Sequence, residues 1–65
     1  MTIKYRIMED QLDCVFETDD KEECMKIWRL MHIENPDRYH EVYEYDEEYG
    51  WIGICQFKPG DPVAW

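Results

Sequence analysis

One stretch of helical spacing lies between two stretches of period-two alternation, and that order leaves few folds open. Cys24, Ile27, Trp28 and Met31 recur at i, i+3, i+4 and i+7, which is one face of a helix, with Lys26 and Arg29 off it. Asp19 stands where an N-cap is wanted, and Glu22 three residues on completes a capping box. Asp20, Glu22 and Glu23 in the first turn suit the positive end of the helix dipole. Pro36 disfavours helical geometry at Asn35, so the helix should stop by Ile33 or Glu34, after about fourteen residues.

Upstream, residues 2–8 place Ile3, Tyr5 and Ile7 on one face and Thr2, Lys4 and Arg6 on the other. Residues 12–17 set Leu12, Cys14 and Phe16 opposite Asp13, Val15 and Glu17. Two alternating runs across the short polar link Glu9-Asp10-Gln11 read as a β-hairpin, although no Gly or Asn marks its turn. Downstream, residues 35–49 admit two readings. Asn35-Pro36 can cap a second helix carrying Tyr39, Val42 and Tyr43, or a turn can lead into a strand that faces Tyr39, Glu41, Tyr43 and Tyr45 one way. The Val and Tyr content, and the β-rich run 51–57 after Gly50, favour the strand, with residues 46–50 as the loop of a second hairpin. Gly53 inside that last run suggests a bulge or a close backbone contact.

The expected fold is therefore α+β, a small antiparallel sheet in ββαββ order with one helix packed on one face. Residues 1–58 form the single compact domain, and residues 59–65, after the Lys58-Pro59-Gly60-Asp61-Pro62 break, form a C-terminal tail. A chain of 65 residues buries only about 60% of the surface it would expose unfolded, so the core is thin and leaves little room for a deep catalytic pocket.

Sixteen Asp and Glu against seven Lys and Arg give a formal net charge of −9. Such a field repels nucleic acid and anionic membrane and speeds encounter with basic surfaces. A hydrophobic fraction of 45% argues for a folded domain rather than an acidic disordered one. Three cysteines, without a CxxC pair, fit free buried thiols better than a disulfide scaffold. No run approaches the ~18 apolar residues of a membrane span. The expected setting is the cytoplasm, with no cofactor and no metal.

Catalytic and metal chemistry find little support. Cys14, Cys24, Cys55, His32 and His40 offer zinc-type ligands, but their spacing fits no finger or ribbon. His32, at the helix end, can simply meet the last carbonyls. The chain has no Ser, nothing selects a Cys–His pair, and Gly50, Gly53 and Gly60 fit no phosphate loop. The protein is expected not to be an enzyme.

The acids cluster instead. Glu17, Asp19, Asp20, Glu22 and Glu23 crowd the helix start, where capping and dipole effects account for them. Glu41, Glu44, Asp46, Glu47 and Glu48 follow with no Lys or Arg among them. If extended, that second run spans about 26 Å at ~3.3 Å per residue, or one charge per about 5 Å. A single DNA strand carries one per 3.4 Å, although the run turns back at its loop. Solubility is the bland account of such a run; a basic partner is the functional one. Tyr39, Tyr43, Tyr45 and Tyr49 interleave with the acids, either as the core face of the sheet or as aromatic contacts for Arg and Lys.

The functional expectation is a small protein-binding inhibitor or modulator, docking on a basic surface of a host nucleic-acid-binding protein as a nucleic-acid mimic. The expected partner contacts are Glu41, Glu44, Tyr45, Asp46, Glu47, Glu48 and Tyr49. In size and charge alone the chain resembles accessory proteins of phages and mobile elements, with no motif to carry the resemblance. The alternative is an assembly module or homodimeric subunit whose charge is incidental.

Overall fold

In the computed structural model, which describes residues 3–64, five elements follow one another as the sequence order suggests. They are β1 (Tyr5–Glu9), β2 (Asp13–Thr18), α1 (Lys21–Glu34), β3 (His40–Asp46) and β4 (Gly50–Phe57). The strands form one antiparallel sheet in the order β2-β1-β3-β4. Because β2 and β3 both run antiparallel to β1, they are parallel to each other. A parallel connection needs a crossover, and α1 supplies it across one face of the sheet. The expected strand start at Thr2 and the tail residue Trp65 lie outside the described residues.

The first hairpin turns without glycine. Asp10 and Gln11 take φ of 54° and 65°, and the Leu12 N–H donates to the Glu9 carbonyl at 3.3 Å. Two successive left-handed residues match the twist of a hairpin, and Asp is among the few residues that tolerate this region. Asp10 is also held from outside the turn. One of its oxygens accepts from the Tyr39 N–H at 3.2 Å, and the other pairs with Arg38 at 2.6 Å.

Where β2 meets β1, Ile7 pairs with Phe16 but Met8 pairs with Cys14, so Val15 is an extra, bulged residue. The bulge corrects the expected Leu12/Cys14/Phe16 face. Phe16 packs against the core, whereas Cys14 is exposed and Leu12, in the turn, is 84% exposed. A thiol expected to be buried is thus at the surface.

The helix has its expected length of 14 residues, but its cap is one residue later than expected. Asp20, not Asp19, accepts from the Glu23 N–H at 3.2 Å. Thr18 decides the position: its hydroxyl donates to Glu23 at 2.8 Å and accepts the Asp20 N–H at 3.1 Å. The helix start is thereby tied to the end of β2. At the other end the Asn35 N–H donates to Met31 at 2.9 Å before Pro36 stops the helix.

Ile7, Cys24, Trp28 and Val42 form the buried apolar core, with Phe16, Met31, Cys55 and Phe57 packed around it. Burial of each large apolar side chain stabilises by about 1.5–3 kcal/mol. Trp28 stacks on Phe57 at 4.1 Å between ring centroids, and its indole N–H donates to the His40 carbonyl at 2.8 Å. After β4 the chain turns at Lys58 and Asp61 and returns to the helix end, where the Gly60 N–H donates to Pro36 at 2.8 Å.

Candidate functional site: the open sheet face and the second hairpin tip

Alternation along β3 divides the acidic and aromatic run between the two faces of the sheet. His40 and Val42 point under the helix, and Glu44 shares their side with Tyr5. Glu41, Tyr43 and Tyr45 point away. The tyrosine row is therefore not the core face; it lies on the face that no described element covers. Tyr39 is outside the strand.

Across that open face Arg6 lies opposite both Glu17 and Tyr43, Gly53 lies opposite Tyr43, and Trp51 lies opposite Tyr45. One Arg6 nitrogen donates to Glu17 at 3.1 Å, and its guanidinium rests 3.9 Å from the Trp51 ring centre. Trp51 meets Tyr45 edge to face at 5.3 Å. The basic residue at the centre of this face is thus engaged by the protein's own aromatic and carboxylate groups. The Tyr43 ring lies over Gly53, where an added Cβ would stand 3.4 Å from it. Such aromatic cover is a common companion of glycine in strands.

Between Val42 and Tyr43 the pairing with β4 shifts by one residue, leaving Ile54 as a bulge. Beside this bulge is a shallow hollow of about 400 Å³ lined by Glu41, Gly53, Ile54, Cys55 and Gln56. Glu41 is only 9% exposed. Its Oε2 accepts from the Tyr43 hydroxyl at 3.3 Å, while its Oε1 is buried with no hydrogen-bond partner. Burial, then the Glu41 charge and its hydrogen bond, raise the pKa of Tyr43, so the phenol remains a donor.

The tip of the second hairpin gathers a different subset. Tyr45, Asp46, Glu47 and Glu48 line a broad hollow of about 600 Å³ together with Lys4. Asp46 accepts from the Glu48 and Tyr49 N–H groups at 2.8 and 3.0 Å, so its carboxylate shapes the turn. Gly50, with φ of 79°, completes it. Glu47 and Glu48 are exposed, and Tyr49 is 78% exposed. Of the seven expected contacts, Tyr45, Asp46, Glu47, Glu48 and Tyr49 cluster at or next to the tip, and Glu41 sits farther down the open face. Glu44 is separated from both: it hydrogen-bonds the Tyr5 hydroxyl on the helix side and raises the pKa of that phenol. None of the five acids forms an ion pair with a described Lys or Arg.

The most connected polar group in the core was not anticipated. His32 and His40, both fully buried, approach Nδ1 to Nδ1 at 2.8 Å, and His40 Nε2 lies 3.1 Å from Glu9. With Glu9 as a carboxylate and both rings neutral, His40 Nε2 donates to Glu9 and His40 Nδ1 accepts from His32 Nδ1. His32 Nε2 is then left with no partner. His32 also stacks on Phe57 at 4.7 Å. It belongs to the helix's inner face rather than to its last carbonyls. The available signal was its spacing, four residues beyond Trp28 and eight beyond Cys24.

Among the described residues no three His, Cys, Asp or Glu gather to hold a metal ion. Burial, helped by Cys55 and Glu23, pushes the Cys24 thiol up to about 11. No described helix is long and apolar enough to cross a membrane. No family model, curated protein or solved structure matches the chain.

Proposed function

We propose that this protein is a binding module that docks on a basic protein surface through the open sheet face and the adjoining hairpin tip. The observation that carries this reading is the pairing of an uncovered aromatic face with acids that meet no described Lys or Arg. Trp51, Tyr45 and Tyr49 offer area and cation–π faces. Glu41, Glu47 and Glu48 offer carboxylates, and the net charge of −9 steers cationic surfaces toward them.

A nucleic-acid-binding protein is the basic partner class with the strongest reason to accept such a surface, and inhibition by occupying its groove is the expected consequence. The acids do not form one straight row, because Glu41 and Glu44 face opposite ways. Recognition therefore rests on the mixed acidic and aromatic face more than on imitation of phosphate spacing.

The test is capture from host lysate on the immobilised protein at about 50 and 500 mM salt, where screening of exposed charges differs strongly, with and without competing DNA. The retained proteins should be basic relative to the input and released by salt, and those with nucleic-acid grooves should be displaced by DNA. A retained set no more basic than the input would refute the proposal.

A second reading is self-assembly, favoured by the outer edge of β4. That strand has eight residues and no partner beyond it among the described residues, and it exposes Ile52 and Ile54. Sedimentation at micromolar concentration distinguishes the readings, since a dimer is expected only of the second.

A further inference from the structure

The geometry points to the hollow at Glu41 as the seat of one arginine side chain supplied by the basic partner. The inference rests on the docking reading above and names the contact that would give it specificity. A carboxylate that is 9% exposed, with one oxygen lacking any hydrogen bond, is unusual in so small a domain. Buried charges are ordinarily paired, and no described cation reaches this one. The neighbouring Arg6 is already committed to Glu17 and Trp51.

The hollow opens beside the bulge at Ile54, and Gly53, bare of a Cβ, lets the Tyr43 ring lie against the strand with its hydroxyl on Glu41. Its lining suits guanidinium better than ammonium. A guanidinium is planar, weakly hydrated and able to lie on the apolar surface of Ile54. It presents several N–H groups, so one can meet Glu41 Oε1, which a small side-chain shift must uncover as the guanidinium enters, while another is accepted by the amide oxygen of Gln56, which lines the same hollow. The Tyr43 hydroxyl, bonded to Oε2, holds the carboxylate in place.

The experiment is an amide NMR titration of the full chain with acetyl-Gly-Arg-Gly-amide, compared with its lysine and citrulline counterparts. The arginine probe should bind saturably and move the Gly53, Ile54 and Gln56 amides. It should bind at least about threefold tighter than the lysine probe, and the uncharged citrulline probe should not bind. Glu41→Gln, nearly identical in shape, should weaken the arginine probe about tenfold or more, whereas Glu47→Gln with Glu48→Gln should leave it within about twofold. Gly53→Ala provides a second variant that leaves the carboxylate intact but crowds the Tyr43 ring, whose hydroxyl holds Glu41; it should weaken binding several-fold.

Equal affinity for lysine and arginine, unchanged binding in Glu41→Gln, or shifts confined to residues 46–49 would each overturn the arginine seat. Those outcomes leave the docking proposal standing if basic proteins are still captured from lysate. If no basic protein is captured, the docking proposal falls whatever the probe does.

Discussion

The covered and open faces of the sheet are built from the same strands, one residue apart, and they treat polar groups differently. Under the helix, Thr18 bonds Glu23 and Asp20, His40 bonds Glu9 and His32, and the Trp28 indole bonds the His40 carbonyl. Among the described residues only His32 Nε2 is left without a partner there. On the open face, Glu41 Oε1 and Arg6 Nε are both buried and unpaired. Polar groups in the interior are conserved energetically by mutual hydrogen bonds. Unpaired ones beside an accessible hollow are where an outside group can add something. The comparison assigns stability to one face and recognition to the other.

The sharpest way to break that division is to truncate each face in turn. Trp28→Ala removes the Phe57 stack and the bond to His40, and should cost about 3–5 kcal/mol in urea unfolding. In a domain this small that loss leaves little folded protein. A cost below about 1 kcal/mol would mean the covered face is not the structural one.

The buried histidine pair should show the next largest effect. His40→Ala removes the contacts to His32 and to Glu9 and leaves a cavity under the helix, and should cost about 2–4 kcal/mol in urea unfolding. A cost below about 0.5 kcal/mol would contradict the hydrogen-bonded pair.

The alkaline side is a smaller effect with its own sign. Cys24 has a folded pKa raised from 9.0 to about 11, so the fold favours the neutral thiol. That contribution is complete below 9.0 and is lost as the pH rises through about 11. Tyr5 and Tyr43 shift in the same direction from 10.0 and extend the loss upward. In thiol labelling of the native protein, exposed Cys14 should react first and buried Cys24 last. Early labelling of Cys24 would show that the helix does not cover it.

The smallest stability change is expected where the binding change is largest. Glu41→Gln replaces an uncompensated buried carboxylate and should alter unfolding by no more than about 1 kcal/mol, in either direction. A loss of several kcal/mol would make Glu41 a structural residue and blur the comparison.

Much of the fold was legible in the sequence because its signals are local. The spacing of Cys24, Trp28 and Met31 and the stop at Pro36 define the helix, and alternation defines the strands. What escaped local reasoning depended on neighbours distant in sequence. The turn at Asp10 is stabilised by Arg38 and Tyr39, 28 and 29 residues away. The cap moved from Asp19 to Asp20 because Thr18 at the end of β2 completes it. Val15, one extra residue in β2, exposed Cys14.

The candidate site was legible as composition but not as geometry. The acidic run 41–48 was evident, yet only strand pairing shows that Glu44 faces away from Glu41, and only the fold buries Oε1 without a partner. Asp46 illustrates the same limit, since it reads as a contact and serves as a turn cap.

The decisive measurement separates position from charge. Two triple variants lose the same three negative charges: Glu41→Gln, Glu47→Gln, Glu48→Gln on the open face and tip, and Asp19→Asn, Glu22→Gln, Glu34→Gln around the helix. Binding to a captured basic partner should fall by about tenfold or more in the first and stay within about threefold in the second. Equal losses in both would show that net charge alone attracts the partner, and the assignment of recognition to the open face would be wrong.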